Sequence, residues 1–265
     1  MRTPFFVEET GADGVAYITL TNLETHNSLN GELIGELIDA LIGIENDKRV
    51  RVLIIAAKGP TFCGGADLKW LKSMSVNSSE KNLVQARYLK RLMSVLDNLR
   101  VPTIARVQGN VYGGGIGLLC CCDIVVAMAG TFYSMSEVRM GLIPAITSPY
   151  LLRTIGVRQA RRYVLTGEKL TASQALEIGL IHQVVRGDMI DITIEGVIKN
   201  VLKAGPRALR LAKQLVSDVA GRKIDDTLLD ETIHLTAKAC ASDEGLEGIR
   251  AFLEKRDPEW PKKSI

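Results

Sequence analysis

Gly109-Asn110-Val111-Tyr112-Gly113-Gly114-Gly115-Ile116-Gly117 reads as an apolar strand handed over to a helix through glycine. Phe62-Cys63-Gly64-Gly65-Ala66-Asp67-Leu68 has the same plan. At such a junction the first backbone N–H groups of the helix have no partner inside it, and they can be aimed at an oxygen that carries negative charge. Two junctions together can supply two donors to one oxyanion. Each run taken alone fits a tight turn with close helix–strand packing equally well. Neither contains the Gly-x-x-x-x-Gly-Lys-Ser/Thr phosphate loop or the Gly-x-Gly-x-x-Gly dinucleotide spacing.

Outward from these segments, strand-like and helix-like patterns alternate, which predicts a mixed α/β core. Phe5 to Val7 and Val15 to Leu20 flank Gly11-Ala12-Asp13-Gly14, a hairpin signal. Asn30 reads as an N-cap, followed by Leu33, Ile34, Leu37, Ile38, Leu41 and Ile42 at helical spacing. Val52 to Ala57 is a continuous apolar run suited to a buried strand, and Thr103 to Val107 is a weaker one broken by Arg106. Between Lys72 and Lys81 the chain is polar and poor in packing groups, so a mobile loop or frayed helix end over a ligand is expected. Helical patterns take over from about Val201, with a break at Gly205-Pro206. The division expected is a core over 1–200 and a helical region over 201–265. No internal repeat shows in the sequence.

The chain has 265 residues, 46% hydrophobic and 24% charged, enough to bury a substantial core. A net charge of +3 leaves room for anionic small ligands but falls short of a nucleic-acid binder's basic stripe. Arg100, Arg106, Arg153, Arg158, Arg161 and Arg162 are dispersed, without interleaved aromatics, so RNA is an unfavoured partner. No apolar stretch reaches the ~18 residues of a membrane span, and the N-terminal segment runs into Glu8 and Glu9, so a cytoplasmic location is expected. Consecutive Cys120, Cys121 and Cys122 cannot pair with one another in a helix and read as small apolar residues in a reducing compartment. With His26, His182 and His234 scattered, no metal site is expected.

In combination the segments resemble the crotonase (enoyl-CoA hydratase/isomerase) superfamily. The matching stretches are Asn27 to Asn30, Phe62 to Lys69, Gly109 to Asp123, Phe132 to Pro144, Ala172 to Val185 and Glu247 to Arg256, in family order across most of the chain. The resemblance implies a spiral of ββα turns with a C-terminal helical region that assembles trimers, or hexamers from paired trimers. It implies an acyl-CoA thioester as ligand, with coenzyme A carried by the substrate and no separate cofactor. The backbone N–H groups of Ala66 and Gly114 become the oxyanion hole. His26, Ser28, Ala66, Asp67 and Leu68 become the adenine and pantetheine site, with Lys69, Phe252 and Lys255 near the nucleotide phosphates, the last two from a neighbouring subunit. Lys69 also fits a solvated helix surface, and Phe252 a core stripe.

Glu137, in Ser134-Met135-Ser136-Glu137-Val138-Arg139-Met140-Gly141, aligns with the second glutamate of hydratases of this kind. Beside an apolar strand it is expected to be poorly solvated, with a raised pKa suited to moving protons. Where the first glutamate would fall, three residues after Gly114, stands Gly117. Positions three apart share a helix face, so Gly117 is expected to look into the same cavity and leave space there. Asp123, at the far end of that helix, reads as structural. Three outcomes follow: a hydratase in which Glu137 works with water or another group, an isomerase using one carboxylate, or an acyl-CoA-binding protein without turnover. The stretches Gly113 to Asp123 and Ser136 to Pro149 are similar to a bacterial branch assigned to methylglutaconyl-CoA hydratase in leucine breakdown. On that reading Gly117 makes room for a C3-branched acyl group.

Overall fold

Strands β1 (Phe6–Thr10) and β2 (Val15–Leu20) form the antiparallel hairpin expected around Gly11–Gly14, in a computed structural model that describes residues 1–260. Helix α1 (Gly31–Asn46) begins where Asn30 predicts, the side chain of that residue accepting from the Leu33 N–H at 2.8 Å. Such a cap is worth about 1 kcal/mol, and the helix buries Leu33, Ile34, Leu37, Ile38 and Leu41.

Three ββα turns follow. The first is β3 (Val52–Ala57), β4 (Thr61–Cys63), α2 (Leu68–Val76) and α3 (Ser79–Asp97). The second is β5 (Thr103–Val107), β6 (Asn110–Tyr112) and α4 (Gly114–Cys120). The third is β7 (Ile124–Met128), β8 (Phe132–Ser134), a 3-10 turn (Glu137–Met140) and α5 (Ser148–Thr166). A short return through β9 (Leu170–Thr171), α6 (Ala172–Glu177) and β10 (Gln183–Val185) closes the core.

Each turn leaves its first strand in one sheet and its second strand in another. The larger sheet has the order β1-β2-β3-β5-β7-β10 and the smaller β4-β6-β8-β9. Within them β3, β5 and β7 run parallel, as do β4, β6 and β8. This is the spiral of ββα turns that the sequence resemblance implies, repeated in topology although not in sequence. The continuous apolar run of β3 follows from burial on both faces. Leu53, Ile55 and Ala57 enter the main core, whereas Val52 and Ile54 pack with Ile104, Val126 and the α7 side chains Ile190, Ile194 and Ile198, where α7 is Ile190–Lys203.

Two sequence expectations need revision. The polar tract from Lys72 to Lys81 is helical on both sides of a short break at Asn77–Ser78. Its polar groups terminate helices instead of melting them: Ser78 caps α3, the Asn77 N–H closes α2 on the Ser73 carbonyl, and just beyond the tract Asn82 Nδ2 donates to the Met74 carbonyl at 2.8 Å. The second concerns the division at 200, which falls inside α7, a helix packed on the large sheet. Beyond it come α8 (Pro206–Val219), α9 (Asp226–Cys240) and α10 (Asp243–Leu253), all helical as expected; 261–265 lie outside the described residues. Among the described residues no helix is long and apolar enough to cross a membrane.

Candidate active site

Two glycine loops meet back to back at the start of α4. Gly65 has φ +86° and Gly113 φ +48°, regions that L side chains rarely adopt. Close approach adds a second constraint. A Cβ on Gly65 would stand 3.1 Å from the Tyr112 carbonyl oxygen, and one on Gly113 would stand 3.1 Å from Glu137 Oε1 and 3.8 Å from Gly65 Cα.

The Cys63–Leu68 loop is zipped to His26–Leu29. The Gly64 N–H donates to the His26 carbonyl (2.9 Å), Leu29 N–H to that of Gly65 (2.7 Å) and Asp67 N–H to that of Leu29 (2.9 Å). Buried Asn27 anchors the turn, its Nδ2 donating to the Lys58 and Thr61 carbonyls. Ala66 N–H and Gly114 N–H make no backbone hydrogen bond among the described residues. Both residues line one cavity of about 680 Å³.

Glu137 lines the same cavity. It opens the 3-10 turn after β8, and Gly141 closes that turn at φ +71°. Burial raises its carboxyl above the usual range, opposed in part by its own backbone N–H. Glu137 Oε2 is buried and has no hydrogen-bond partner among the described residues. It is the one carboxylate among the lining residues, which include no lysine, arginine or histidine. One wall consists of Trp70, Leu71 and Met74 of α2 with Ala86 and Leu89 of α3; the other is Met140 to Thr147. Of the Lys72–Lys81 tract expected to cover a ligand, Met74 lines the cavity, as part of ordered helix.

The other residues singled out in the sequence divide by location. Leu68 lines the cavity while remaining 81% exposed. Ser28 is buried against Gly64, and His26 is exposed beside it. Asp67 is occupied as a cap, its Oδ1 accepting from the Lys69 and Trp70 N–H groups at 2.8 and 3.1 Å. Lys69 is exposed on α2. Phe252, in the last turn of α10, and Lys255, two residues past its end, lie outside the cavity lining; Phe252 is 82% exposed, which excludes the core-stripe reading within this chain. Asp123 is structural, its Oδ2 accepting from Thr103 N–H, Thr103 Oγ1 and Lys213 Nζ. Cys120, Cys121 and Cys122 are buried, as small apolar residues would be, and burial pushes the Cys120 thiol up to about 12.

Gly117 departs from expectation. It is buried and outside the cavity lining, and a Cβ there would meet Thr147 Cγ2 at 2.5 Å and Met93 Sδ at 3.0 Å. The space it was expected to leave is filled by neighbouring side chains, because the chain returns over α4 after the Glu137 turn. Thr147 and the α2–α3 wall were not legible as site residues. Their signal was helical spacing of Trp70 with Met74 and of Ala86 with Leu89, masked by the polar tract between them.

A spiral of ββα turns that brings the Ala66 and Gly114 loops and one partly desolvated carboxyl to a shared cavity has the architecture of the crotonase class. The chain belongs to the enoyl-CoA hydratase/isomerase family, whose model matches residues 10–263. Enoyl-CoA hydratase domain-containing protein 2, mitochondrial, of Mus musculus is 32% identical over 260 residues, covering 94% of this chain and 85% of that protein. The crystal structure of an enoyl-CoA hydratase from Shewanella pealeana ATCC 700345 matches with a TM-score of 0.93 at 38% identity, covering 97% of this chain and 96% of that one. An enoyl-CoA hydratase structure from Mycobacterium smegmatis matches at 0.92 and 28% identity, over 97% and 99% of the two chains.

Proposed function

We propose that this enzyme adds water across the C2=C3 double bond of an enoyl-CoA thioester. The observation that carries the reading is Glu137 Oε2, buried and without a hydrogen-bond partner among the described residues, on a carboxyl beside the Gly113–Gly114 loop. The Ala66 and Gly114 N–H groups would bind the thioester oxygen, where charge grows as the enolate forms. One such donor is typically worth about 3 kcal/mol in the transition state. Glu137, as carboxylate, takes a proton from water as its oxygen bonds to C3, and then delivers a proton to C2. Coenzyme A enters and leaves as part of the substrate, with Leu68 at the cavity and His26, Ser28, Asp67 and Lys69 on the same loops as its binding surface.

A second reading has its own support, since the lining holds one carboxylate among the described residues. A single carboxylate suffices to take a proton from C2 of a 3-enoyl-CoA and return it to C4, which makes the enzyme an isomerase. Absorbance of the conjugated thioester separates the two: hydration removes it from a 2-enoyl-CoA, and isomerisation creates it from a 3-enoyl-CoA. Glu137→Gln is expected to lower turnover by about 10² to 10⁴-fold while an inert acyl-CoA still binds. An unmutated protein that binds such esters and turns over none of a panel is a binding protein instead.

Methylglutaconyl-CoA as the particular substrate rests on sequence resemblance over Gly113 to Asp123 and Ser136 to Pro149. The crowding at Gly117 gives it no support, and no cationic side chain lines the cavity for a second carboxylate among the described residues. Good turnover of crotonyl-CoA with none of methylglutaconyl-CoA overturns it. A trimer or hexamer accords with exposed apolar side chains on the last helices, among them Ile233 (62%), Phe252 (82%) and Leu253 (73%). Sedimentation distinguishes these states. Free cysteines throughout suit a reducing, cytoplasmic setting.

A further inference from the structure

Three elements converge on Gly117, one helical turn beyond the Gly114 donor. Thr147 belongs to the wall Met140 to Thr147 and is 5% exposed. Met93 is fully buried on α3, the helix that carries Ala86 and Leu89 of the opposite wall. Both reach the bare Cα of Gly117, with Thr147 Cγ2 2.5 Å and Met93 Sδ 3.0 Å from where a Cβ would sit.

The two neighbours differ in stiffness. Met93 ends in a flexible thioether that can swing aside. Thr147 is β-branched and stiff at χ1, and its Oγ1 donates to the Pro144 carbonyl at 3.2 Å, which ties the side chain to its own backbone turn. A methyl group at 117 therefore displaces the wall and not the side chain alone. Because Thr147 lies between α4 and the cavity, the displacement is into the cavity.

We infer that Gly117 is a specificity-determining residue: its missing side chain makes a seat for the Thr147 methyl, and that seat sets how far the wall stands back and how long an acyl chain the cavity admits. This rests on the acyl-CoA reading above and assigns Gly117 a packing role where a carboxylate had been the alternative. The enzyme then selects acyl length through a contact that no substrate atom touches.

Calorimetric binding of two saturated, unreactive esters, butyryl-CoA and octanoyl-CoA, tests the seat without any turnover. Gly117→Ala is expected to weaken octanoyl-CoA roughly tenfold more than butyryl-CoA, the size of effect that one methylene of pocket depth produces. Thr147→Ser removes Cγ2 but keeps the hydroxyl. Alone it is expected to favour octanoyl-CoA, and in the double variant G117A/T147S it is expected to return the ratio toward the parent's value. Melting temperatures taken in parallel identify a variant that has simply unfolded, and T147S then carries the test by itself. Equal losses for both esters in G117A, no gain for octanoyl-CoA in T147S, or a double variant no better than G117A overturns the inference. Retained binding in a parent that hydrates and isomerises nothing sinks the proposed reaction and leaves the seat standing, whereas a parent that binds neither ester overturns both.

Discussion

At the scale of single residues, the site depends on a carboxylate kept in poor company. Glu137 Oε2 is buried without a partner among the described residues, and desolvation raises the pKa. A carboxyl with a raised folded pKa holds its proton more tightly folded than unfolded. Stability accordingly falls as pH climbs from the ordinary value of 4.5 through the raised one. Glu137→Gln removes that loss. The variant is expected to have a higher urea midpoint than the parent at pH 7, with the gap closing below the ordinary carboxylate range. A gap that does not change between pH 4 and pH 7 would mean that the carboxyl is not desolvated. If Glu137 moves protons as proposed, activity and stability are opposed at this position.

Among the elements, α2 has the most local support for its task. It is nine residues long, buries none of them fully, and begins on the Asp67 cap, yet it presents Trp70, Leu71 and Met74 to the cavity. Loss of a cap of this kind costs about 1 kcal/mol. Asp67→Ala is expected to raise amide exchange over 68–76 about fivefold and to increase KM more than it lowers kcat, while Asp67→Asn, which can still cap, leaves both near the parent. If Asn and Ala behave alike, the charge of Asp67 and not its cap carries the effect. The glycine loops show the complementary arrangement. Their conformation is set by Gly65 and Gly113, whose lack of Cβ lets two turns approach where any other residue would meet a carbonyl or Glu137.

For the molecule as a whole, the helical C-terminal region is tied to the spiral by polar contacts at strand starts. Lys213 Nζ on α8 donates to Asp123 Oδ2 at 2.7 Å and to the Val101 carbonyl at 3.1 Å, with the lysine side chain 13% exposed. Arg51 Nη2 donates to the Ala204 carbonyl at 2.6 Å, and Arg210 Nη2 to that of Val50 at 3.3 Å. These contacts join the starts of β3 and β5 to the α7–α8 corner. Lys213→Met keeps the apolar stem and removes the charge. It is expected to cost about 1–2 kcal/mol, because Asp123 loses a charged donor where solvent cannot fully replace it. Thermal unfolding should then shift down by several degrees. An unchanged Tm would show that the pair behaves like an exposed surface bridge.

The sequence by itself determined what short-range chemistry dictates. Asn30 before a helical stripe specified α1, the all-apolar run Val52–Ala57 specified a strand covered on both faces, and glycines between strand and helix specified the two tight loops. The poor solvation of Glu137 was legible as well, through its place beside an apolar strand. The tertiary structure alone decided what depends on chain segments distant in sequence. Polar residues around Asn77 were read as a loop because capping and solvation draw on the same side chains, and only the fold shows which they serve. Gly117 was read as open space because a missing side chain says nothing about what comes to fill it. Thr147 and Met93 do so from 30 residues ahead and 24 behind. Helical periodicity correctly placed Gly117 a turn beyond Gly114, but packing density, a property of the assembled core, decided that this face meets protein and not substrate.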